Sequence, residues 1–333
     1  MSRERTLITE VVTGLGTIGR LQLDEALNFD LPPAELFGVG FEDWARLQEL
    51  QNDPGYRSDF TSAYEAGRYF LEAEGGLRGR SPLRVEWKGK HRSPEHDPLP
   101  VDLRIDHVFA VSCKYLSKIL LNPSPLALFR FALREGAESG RDWFYESAPE
   151  AYQELLVSTC RFLGIGEVPR TPMELSEQQR RLLKDGFRNW PEELSPVVQE
   201  FVAQVSMRSA ESLNQALPNT RARERFYWKI LRIHSAPYFV LGAQKSGPMY
   251  ARVMTPWDFR RRFKFQDLEV YPKERGQPEV GWRAFIIDQE SENEMVIDGH
   301  FEIRWSHGRF NKAPEGKVYL DTPHLQTAGY EAL

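Results

Sequence analysis

The sequence is poor in cysteine and in long apolar runs, and each shortage excludes a class of protein. Its two cysteines, Cys113 and Cys160, have no Cys-x-x-Cys spacing and no accompanying histidine cluster, which argues against structural zinc and a disulfide scaffold and favours a reducing, cytoplasmic setting. No apolar run reaches about eighteen residues, the length typical of a membrane span. The N-terminus also lacks the apolar core and cleavage site of a signal peptide, so we expect a soluble, unexported protein with no membrane partner.

An excess of positive charge is also missing. The 333 residues carry a formal charge of −5, with 27% charged side chains. Any contact with nucleic acid therefore has to come from locally concentrated arginine and lysine. The length allows one large domain or two moderate ones with a sizeable core.

The most informative stretch is residues 101–125, in which two acids precede a short apolar run that ends in Ser-Cys-Lys. Its first five residues alternate apolar and charged side chains, and residues 108–111 are four side chains typical of a strand interior. We predict two antiparallel strands joined by a tight turn at Asp106 and His107. That turn would set Ile105 opposite Val108.

The predicted pairing places polar and charged side chains together at the open end of the hairpin. It sets Asp102 opposite Val111, beside Ser112 and within reach of Lys114, so that one carboxylate meets one ammonium. Asp106 competes with Asp102, because an earlier turn would make Asp106 the acid that faces Lys114. An aspartate is also an ordinary residue at a turn.

A helix predicted over residues 58–74 precedes the hairpin and carries Glu65 at the edge of its apolar face. A helix packed behind such strands can deliver one more acid to a metal, although a solvated helix acid is the simpler interpretation of Glu65. Residues 83–88 follow as a predicted strand with a second Glu-x-Lys, Glu86-Trp-Lys88, which no acid-bearing strand precedes.

These side chains suit phosphodiester hydrolysis. Mg²⁺ prefers a few carboxylate oxygens and fills its other positions with water, so one or two acids are sufficient to hold it. Asp102, with Glu65 or Asp106 as its partner, would hold the metal. Lys114 would orient or deprotonate the attacking water and offset charge on the phosphate.

Pro100-Val-Asp102 followed by Ser112-Cys-Lys114 resembles the PD-(D/E)XK superfamily of restriction-endonuclease-like nucleases. Ser112 stands where an acid is usual, and some Type II restriction enzymes resemble this variant, with an Asp-x-Arg segment like Asp102-Leu-Arg104 and a strand ending in Ser-x-Lys. The resemblance implies an α/β fold with a mixed sheet core flanked by helices. It also implies a Mg²⁺-dependent endonuclease that cuts double-stranded DNA as a homodimer, with a cognate DNA methyltransferase as a partner in the same system.

The remaining chain changes character near residue 237. A helix is expected over Tyr115–Leu121, directly after the hairpin, and further helices are expected between residues 126 and 233, whereas strands dominate after that. The enzymes of the resemblance carry a DNA-reading strand with Arg, His and Asn near the C-terminus, which residues 301–312 resemble. The candidate DNA-binding residues are Arg304, His307, Arg309, Asn311 and Lys312, together with the basic cluster Arg260, Arg261 and Arg262.

These patterns divide the chain into four segments: an N-terminal helical segment (1–57), a nuclease core with the metal site (58–165), a helical region (166–235) and a β-rich region for DNA recognition (236–325). Two alternatives remain. A non-catalytic nucleic-acid-binding or phage-defence protein could keep this fold with Ser112 marking a degenerate site. A dinucleotide could bind at Gly14 to Gly19, but residues 28–33 interrupt the fingerprint too early, so we favour a glycine-rich connection there.

Overall fold

The computed structural model describes residues 3–89, 101–134, 141–234, 236–244, 247–274 and 276–333. The chain divides into two compact units. Unit 1 combines Met1–Ser117, Arg232–Arg262 and Pro323–Leu333, and unit 2 combines Lys118–Leu231 and Phe263–Thr322. Pro100 and the rest of the loop before the hairpin lie outside the described residues.

The helices and strands occur in successive groups along the chain. The α-helices within the described residues are α1 (Arg3–Leu7), α2 (Thr13–Ile18), α3 (Leu23–Leu27), α4 (Phe41–Gln51), α5 (Arg57–Glu72), α6 (Pro125–Phe129), α7 (Trp143–Ser147), α8 (Pro149–Phe162), α9 (Glu177–Asp185), α10 (Ser195–Ala216), α11 (Thr220–Leu231) and α12 (Pro256–Arg262). The strands are β1 (Leu36–Phe37), β2 (Val85–Trp87), β3 (Leu103–Ile105), β4 (Phe109–Tyr115), β5 (Ile119–Leu121), β6 (Tyr238–Gln244), β7 (Gly247–Val253), β8 (Phe263–Glu274), β9 (Pro278–Asp288), β10 (Glu294–Arg304), β11 (Glu315–Leu320) and β12 (Tyr330–Ala332).

Unit 1 is built on a mixed sheet with the strand order β1-β2-β3-β4-β6-β7-β12. The strands β2, β3 and β4 are successive antiparallel neighbours, and β4 then pairs with β6 in parallel. A parallel pair requires a crossover connection. Here that connection is the whole of residues 116–237, most of which belong to unit 2.

The N-terminal helices of unit 1 cover one face of its sheet. The apolar side chains of α1, α2, α4 and α5 form one buried cluster with Leu103, Val111, Cys113 and Leu241 of the strands. Because alternate residues of a strand point to opposite faces, the intervening residues of β4, Ser112 among them, lie on the other face. The polar side chains of the hairpin are thus separated from the helical layer.

Gly14 to Ile18 lie in helix α2 and Gly19 caps its C-terminal end, so the predicted glycine-rich connection is wrong. A π-helical turn, Ile8–Val12, links α1 to α2, and α2 crosses α5 at very short range. A Cβ atom on Gly16 would lie 2.1 Å from the Tyr64 carbonyl oxygen, and one on Gly67 would lie 2.1 Å from that of Thr13. The glycines let two helix backbones touch, which accounts for them without a dinucleotide.

Unit 2 contains an antiparallel sheet with the order β5-β11-β10-β9-β8. The long helix α10 packs on β8 and β9, and α11 packs on β8. Its core is aromatic: Trp282, Phe301, Phe129 and Phe226 are buried, and the ring of Phe301 contacts the other three.

The mixed α/β class expected from the sequence is confirmed, but the local prediction directly after the hairpin is wrong. The stretch from Tyr115 to Leu121 is not the predicted helix. Tyr115 extends β4, where it pairs with Ala243, and Ile119 begins β5, where it pairs with Tyr319. Strand pairing with residues distant in sequence outweighs the weak local preference for helix.

Candidate functional site

The predicted hairpin forms, with a register one residue different from the expected one. Asp106 and His107 adopt left-handed backbone conformations, with φ of 48° and 60°. Ile105 pairs with Phe109 rather than Val108, so the loop has three residues. The sequence pattern could not determine this extra loop residue, and it places Asp102 opposite Ser112 instead of Val111.

Asp102 is held at the point where the β3 backbone leaves the ladder. Its Oδ2 atom accepts hydrogen bonds from the Cys113 backbone N–H at 2.8 Å and from the Ser112 hydroxyl at 3.1 Å. Its own N–H donates to the Val111 carbonyl, and its carbonyl accepts from Lys88. The side chain is only 9% exposed. The carboxylate is therefore part of the hairpin's own hydrogen bonding as well as a candidate metal ligand.

A buried cation lies on the other side of Ser112. Arg232 is 9% exposed, and its Nη1 atom lies 3.4 Å from the Ser112 hydroxyl oxygen and donates to the hydroxyl of Tyr238. Its guanidinium also stands 5.4 Å from the centroid of the Tyr238 ring. Ser112 thus donates to the carboxylate of Asp102 and accepts from Arg232. A carboxylate, a hydroxyl and a guanidinium form one chain of polar contacts.

Lys114 lies two residues beyond Ser112 on β4, so both side chains point to the same face of the sheet, about 7 Å apart along the strand. Lys114 is partly buried and pairs with Gly242 of β6. A Cβ atom on Gly242 would lie 1.7 Å from the Lys114 carbonyl oxygen, and its φ is +148°. Glycine is therefore required at this point, where β6 approaches the strand that carries the candidate lysine.

The other two predicted acids take different positions. Glu65 is exposed on α5, and its charge contributes, after burial, to the raised pKa of Tyr250 on β7. Asp106 is at the closed end of the hairpin, where its Oδ1 atom accepts from the backbone N–H groups of Leu83 and Arg84 at 2.8 and 3.0 Å. The structure brings Asp102 and Ser112 together but places Glu65 on the helical side and Asp106 in the turn.

Two buried acids on the helical side were missed from the sequence. Glu10 accepts a 2.6 Å hydrogen bond from the Trp87 indole N–H, and Asp59, 1% exposed, lies 3.3 Å from Arg5 Nε. Burial, followed by the charges of Asp102 and Glu10, raises the pKa of the Cys113 thiol well above its ordinary value. The only sequence signal for Glu10 is that it is a single charge in an otherwise apolar helical stretch.

Five of the candidate DNA-binding residues lie in unit 2 at and after the end of β10. Arg304 lies 3.4 Å from Glu302, His307 lies 3.4 Å from Glu315, and Asn311 donates to the carbonyl of His307. Arg309 donates to the carbonyls of Phe187 and Arg188 at 2.9 and 3.1 Å, and burial lowers the pKa of its guanidinium. Lys312 is exposed. Arg309 is therefore largely engaged inside the unit.

The other three candidates lie on helix α12 of unit 1 and are exposed. The Arg261 guanidinium stands 4.7 Å from the centre of the Trp257 ring, and Arg262 lies 3.9 Å from Glu331. Arg260 precedes them on the same helix. Three consecutive exposed arginines give this short helix a concentrated positive charge.

Two properties of the described structure and three comparisons with known proteins complete the description of the site. In the part of the chain that the structure describes, no three His, Cys, Asp or Glu side chains group as metal ligands, and no helix is long and apolar enough to cross a membrane. No protein-family model, curated protein or solved structure matches the chain significantly.

Proposed function

We propose that the protein is a Mg²⁺-dependent endonuclease acting on double-stranded DNA, with Asp102 and Lys114 as its central residues. The observation that carries the proposal is the hairpin: a buried carboxylate opposite Ser112 and a lysine two residues further on, on the same face of one sheet. The surrounding order also supports it. Along the chain, helix α5 is followed by the antiparallel strands β2, β3 and β4, which matches the predicted succession of helix, strand, acid-bearing strand and lysine-bearing strand.

The donors at the hairpin fit Mg²⁺ in chemical kind, since Asp102 and Ser112 both offer oxygen. When bound, the ion would supply an activated water and offset negative charge on the phosphate. Asp102 would hold it, with Ser112 as a weaker ligand. Lys114 would place its ammonium against the scissile phosphate and stabilise the charge that develops there. Arg232 would hold the hydroxyls of Ser112 and Tyr238 in position.

The test is to incubate the purified protein with plasmid and phage DNA in Mg²⁺ and in EDTA. Discrete Mg²⁺-dependent fragments are expected from a Type II-like enzyme, whereas a smear would indicate nonspecific cleavage. Lys114→Ala should reduce cleavage by at least about 100-fold, the lower range for removal of one group that stabilises developing charge in the transition state. Lys118→Ala, the same change at an exposed lysine four residues on, is the matched control. Wild-type cleavage by Lys114→Ala would remove the central claim.

One observation favours a second candidate, a non-catalytic nucleic-acid-binding or phage-defence protein. The Arg232 guanidinium is 3.4 Å from Ser112, the position where a second acid would normally help to recruit a cation. A fixed positive charge there repels Mg²⁺ and attracts phosphate instead. Binding of DNA without cleavage in Mg²⁺ would favour this candidate.

The nuclease proposal includes partners that follow from its chemistry. Cutting both antiparallel strands is simplest with two symmetric sites, so the active form would be a homodimer. A cognate methyltransferase would protect the cell's own DNA. Sedimentation of the protein with and without a DNA duplex would measure the proposed dimer.

A further inference from the structure

A cavity of about 440 Å³ in unit 2 combines aromatic and cationic walls. Its lining residues come from the end of α9 and the segment after it, from one side of α10, and from the end of β10 and the loop that follows. Phe187, Trp190 and Trp305 contribute rings, and Lys184, Arg304 and Arg309 are among the four cations. No carboxylate is among the described side chains that line it. Its volume is in the range of small-molecule sites.

Neighbouring aromatic side chains fix the rings of Trp305 and Trp190 in position. The Trp305 ring centroid lies 4.7 Å from that of Phe144 and 5.8 Å from that of Phe201, and the second pair is nearly parallel. Trp190 lies 5.2 Å from Phe187 and 6.4 Å from Trp305. Two partly exposed indoles are thus fixed on adjoining walls of one cavity. Such surfaces favour stacking of a flat ring.

Arg309 fixes the segment that carries Trp190. Its guanidinium stands 4.4 Å from the centre of the Trp190 ring and donates to the carbonyls of Phe187 and Arg188. It therefore binds the connection after α9 to the loop after β10. Arg304 differs, because its Nε atom is buried and has no hydrogen-bond partner among the described residues. That donor lies in a residue that lines the cavity.

The charge of the walls decides between two kinds of ligand. An aromatic box alone attracts a cation such as a methylated ammonium. Glu302 lies 3.4 Å from Arg304 and offsets one of the four cationic charges, but no carboxylate is among the described lining side chains, so the remaining positive charge opposes that ligand and favours an anion. A flat ring joined to an anionic group meets both requirements, and a nucleotide has that composition: a base for the indoles and a phosphate for Arg304 and Lys184.

We propose that this cavity binds a nucleotide, with its base against Trp190 and Trp305 and its phosphate near Arg304 and Lys184. The natural ligand would be an unpaired or extruded nucleotide of DNA, and this identification rests on the proposed function. A base leaves the duplex stack most readily where the DNA is already unpaired or damaged. Such a pocket would make the protein sensitive to the state of a base as well as to sequence.

The experiment measures binding in EDTA with the Lys114→Ala protein, so that cleavage cannot contribute. The probes are the four deoxynucleoside monophosphates and a short oligothymidylate, titrated by isothermal calorimetry. Trp190→Ala should weaken binding of both by at least about fivefold, from the loss of one base–aromatic stack. Trp190→Phe, which keeps a ring, should lose less and shows that the site still folds. Trp257→Ala is the control: it removes an indole outside the cavity that also has an arginine, Arg261, above its ring, and it should leave monophosphate binding unchanged.

The outcomes separate the possibilities. Tighter binding of the oligonucleotide supports DNA as the source, and binding of monophosphates alone supports a free nucleotide in the same pocket. Equal affinity of the Trp190→Ala and parent proteins would overturn the proposal, and so would capture of a trimethyl-lysine peptide in preference to nucleotides. If nucleotides fail to bind while the wild-type protein still cuts DNA, this proposal fails and the nuclease proposal stands.

Discussion

Asp102 has two roles in the structure, and replacing it should separate them. Asp102→Ala removes the acceptor of the Cys113 N–H and of the Ser112 hydroxyl. The hydroxyl can rotate to another acceptor, but the backbone N–H is fixed in the strand. Cys113 is buried, and a buried unpaired N–H costs about 1–3 kcal/mol. We therefore expect the open end of the hairpin to lose about 2 kcal/mol of local stability.

Asp102→Asn should lose much less. Its amide oxygen can still accept from Cys113, although a neutral acceptor forms a weaker hydrogen bond than a carboxylate. We expect a loss of about 1 kcal/mol or less. The asparagine variant nevertheless lacks the charge that would hold a cation, so both variants should lose Mg²⁺-dependent cleavage.

Hydrogen exchange of the Cys113 amide measures the local opening directly. A loss of about 2 kcal/mol corresponds to roughly 30-fold faster exchange in Asp102→Ala, and about fivefold or less is expected in Asp102→Asn. Amides of β7, on the same sheet but away from the hairpin, are the internal control. Unchanged exchange at Cys113 in Asp102→Ala would refute the structural role. Undiminished cleavage by a folded Asp102→Asn protein would refute the role in metal binding.

Three further predictions concern packing, pH and DNA. Gly67→Ala places a methyl group 2.1 Å from a backbone oxygen of α2 and should lower the free energy of unfolding by about 1–3 kcal/mol in urea, whereas the exposed Gly166→Ala should not. The hydrogen bond from His300 lowers the pKa of Asp321 in the folded protein. The stability that this hydrogen bond contributes is therefore fully present above the pKa of an unfolded aspartate, about 3.9, and is lost as the pH falls from there through the lower pKa of folded Asp321. Urea midpoints of wild type and Asp321→Asn should therefore converge in acid, and a constant difference would contradict this. Arg304→Ala should weaken specific DNA binding by about 1–3 kcal/mol if it makes a bidentate guanine contact, and equal losses on unrelated sequences, measured by anisotropy, would indicate a phosphate contact.

Local sequence patterns predicted the helix and the strands around the site, but not their exact register or their contacts with distant segments. The helix over residues 58–74 and the strand near residue 85 form close to the expected positions, because an apolar period or alternation reports which face will be buried. The register of the hairpin differed by one residue, since a two-residue and a three-residue loop both fit the sequence around Asp106. The glycines of α2 were misinterpreted because their function is contact with α5, a segment some fifty residues away.

The sequence by itself determined that a carboxylate, a hydroxyl and a lysine occupy one end of a hairpin, because Asp102, Ser112 and Lys114 follow from strand alternation about a single turn. Only the tertiary structure decided what surrounds them. Arg232, 120 residues from Ser112, reaches it because β4 pairs with β6 in parallel, and that pairing is selected by burial of both strands in one sheet. Local periodicity contains no information about such partners. The tertiary fold therefore decided that the site contains a buried guanidinium beside its serine.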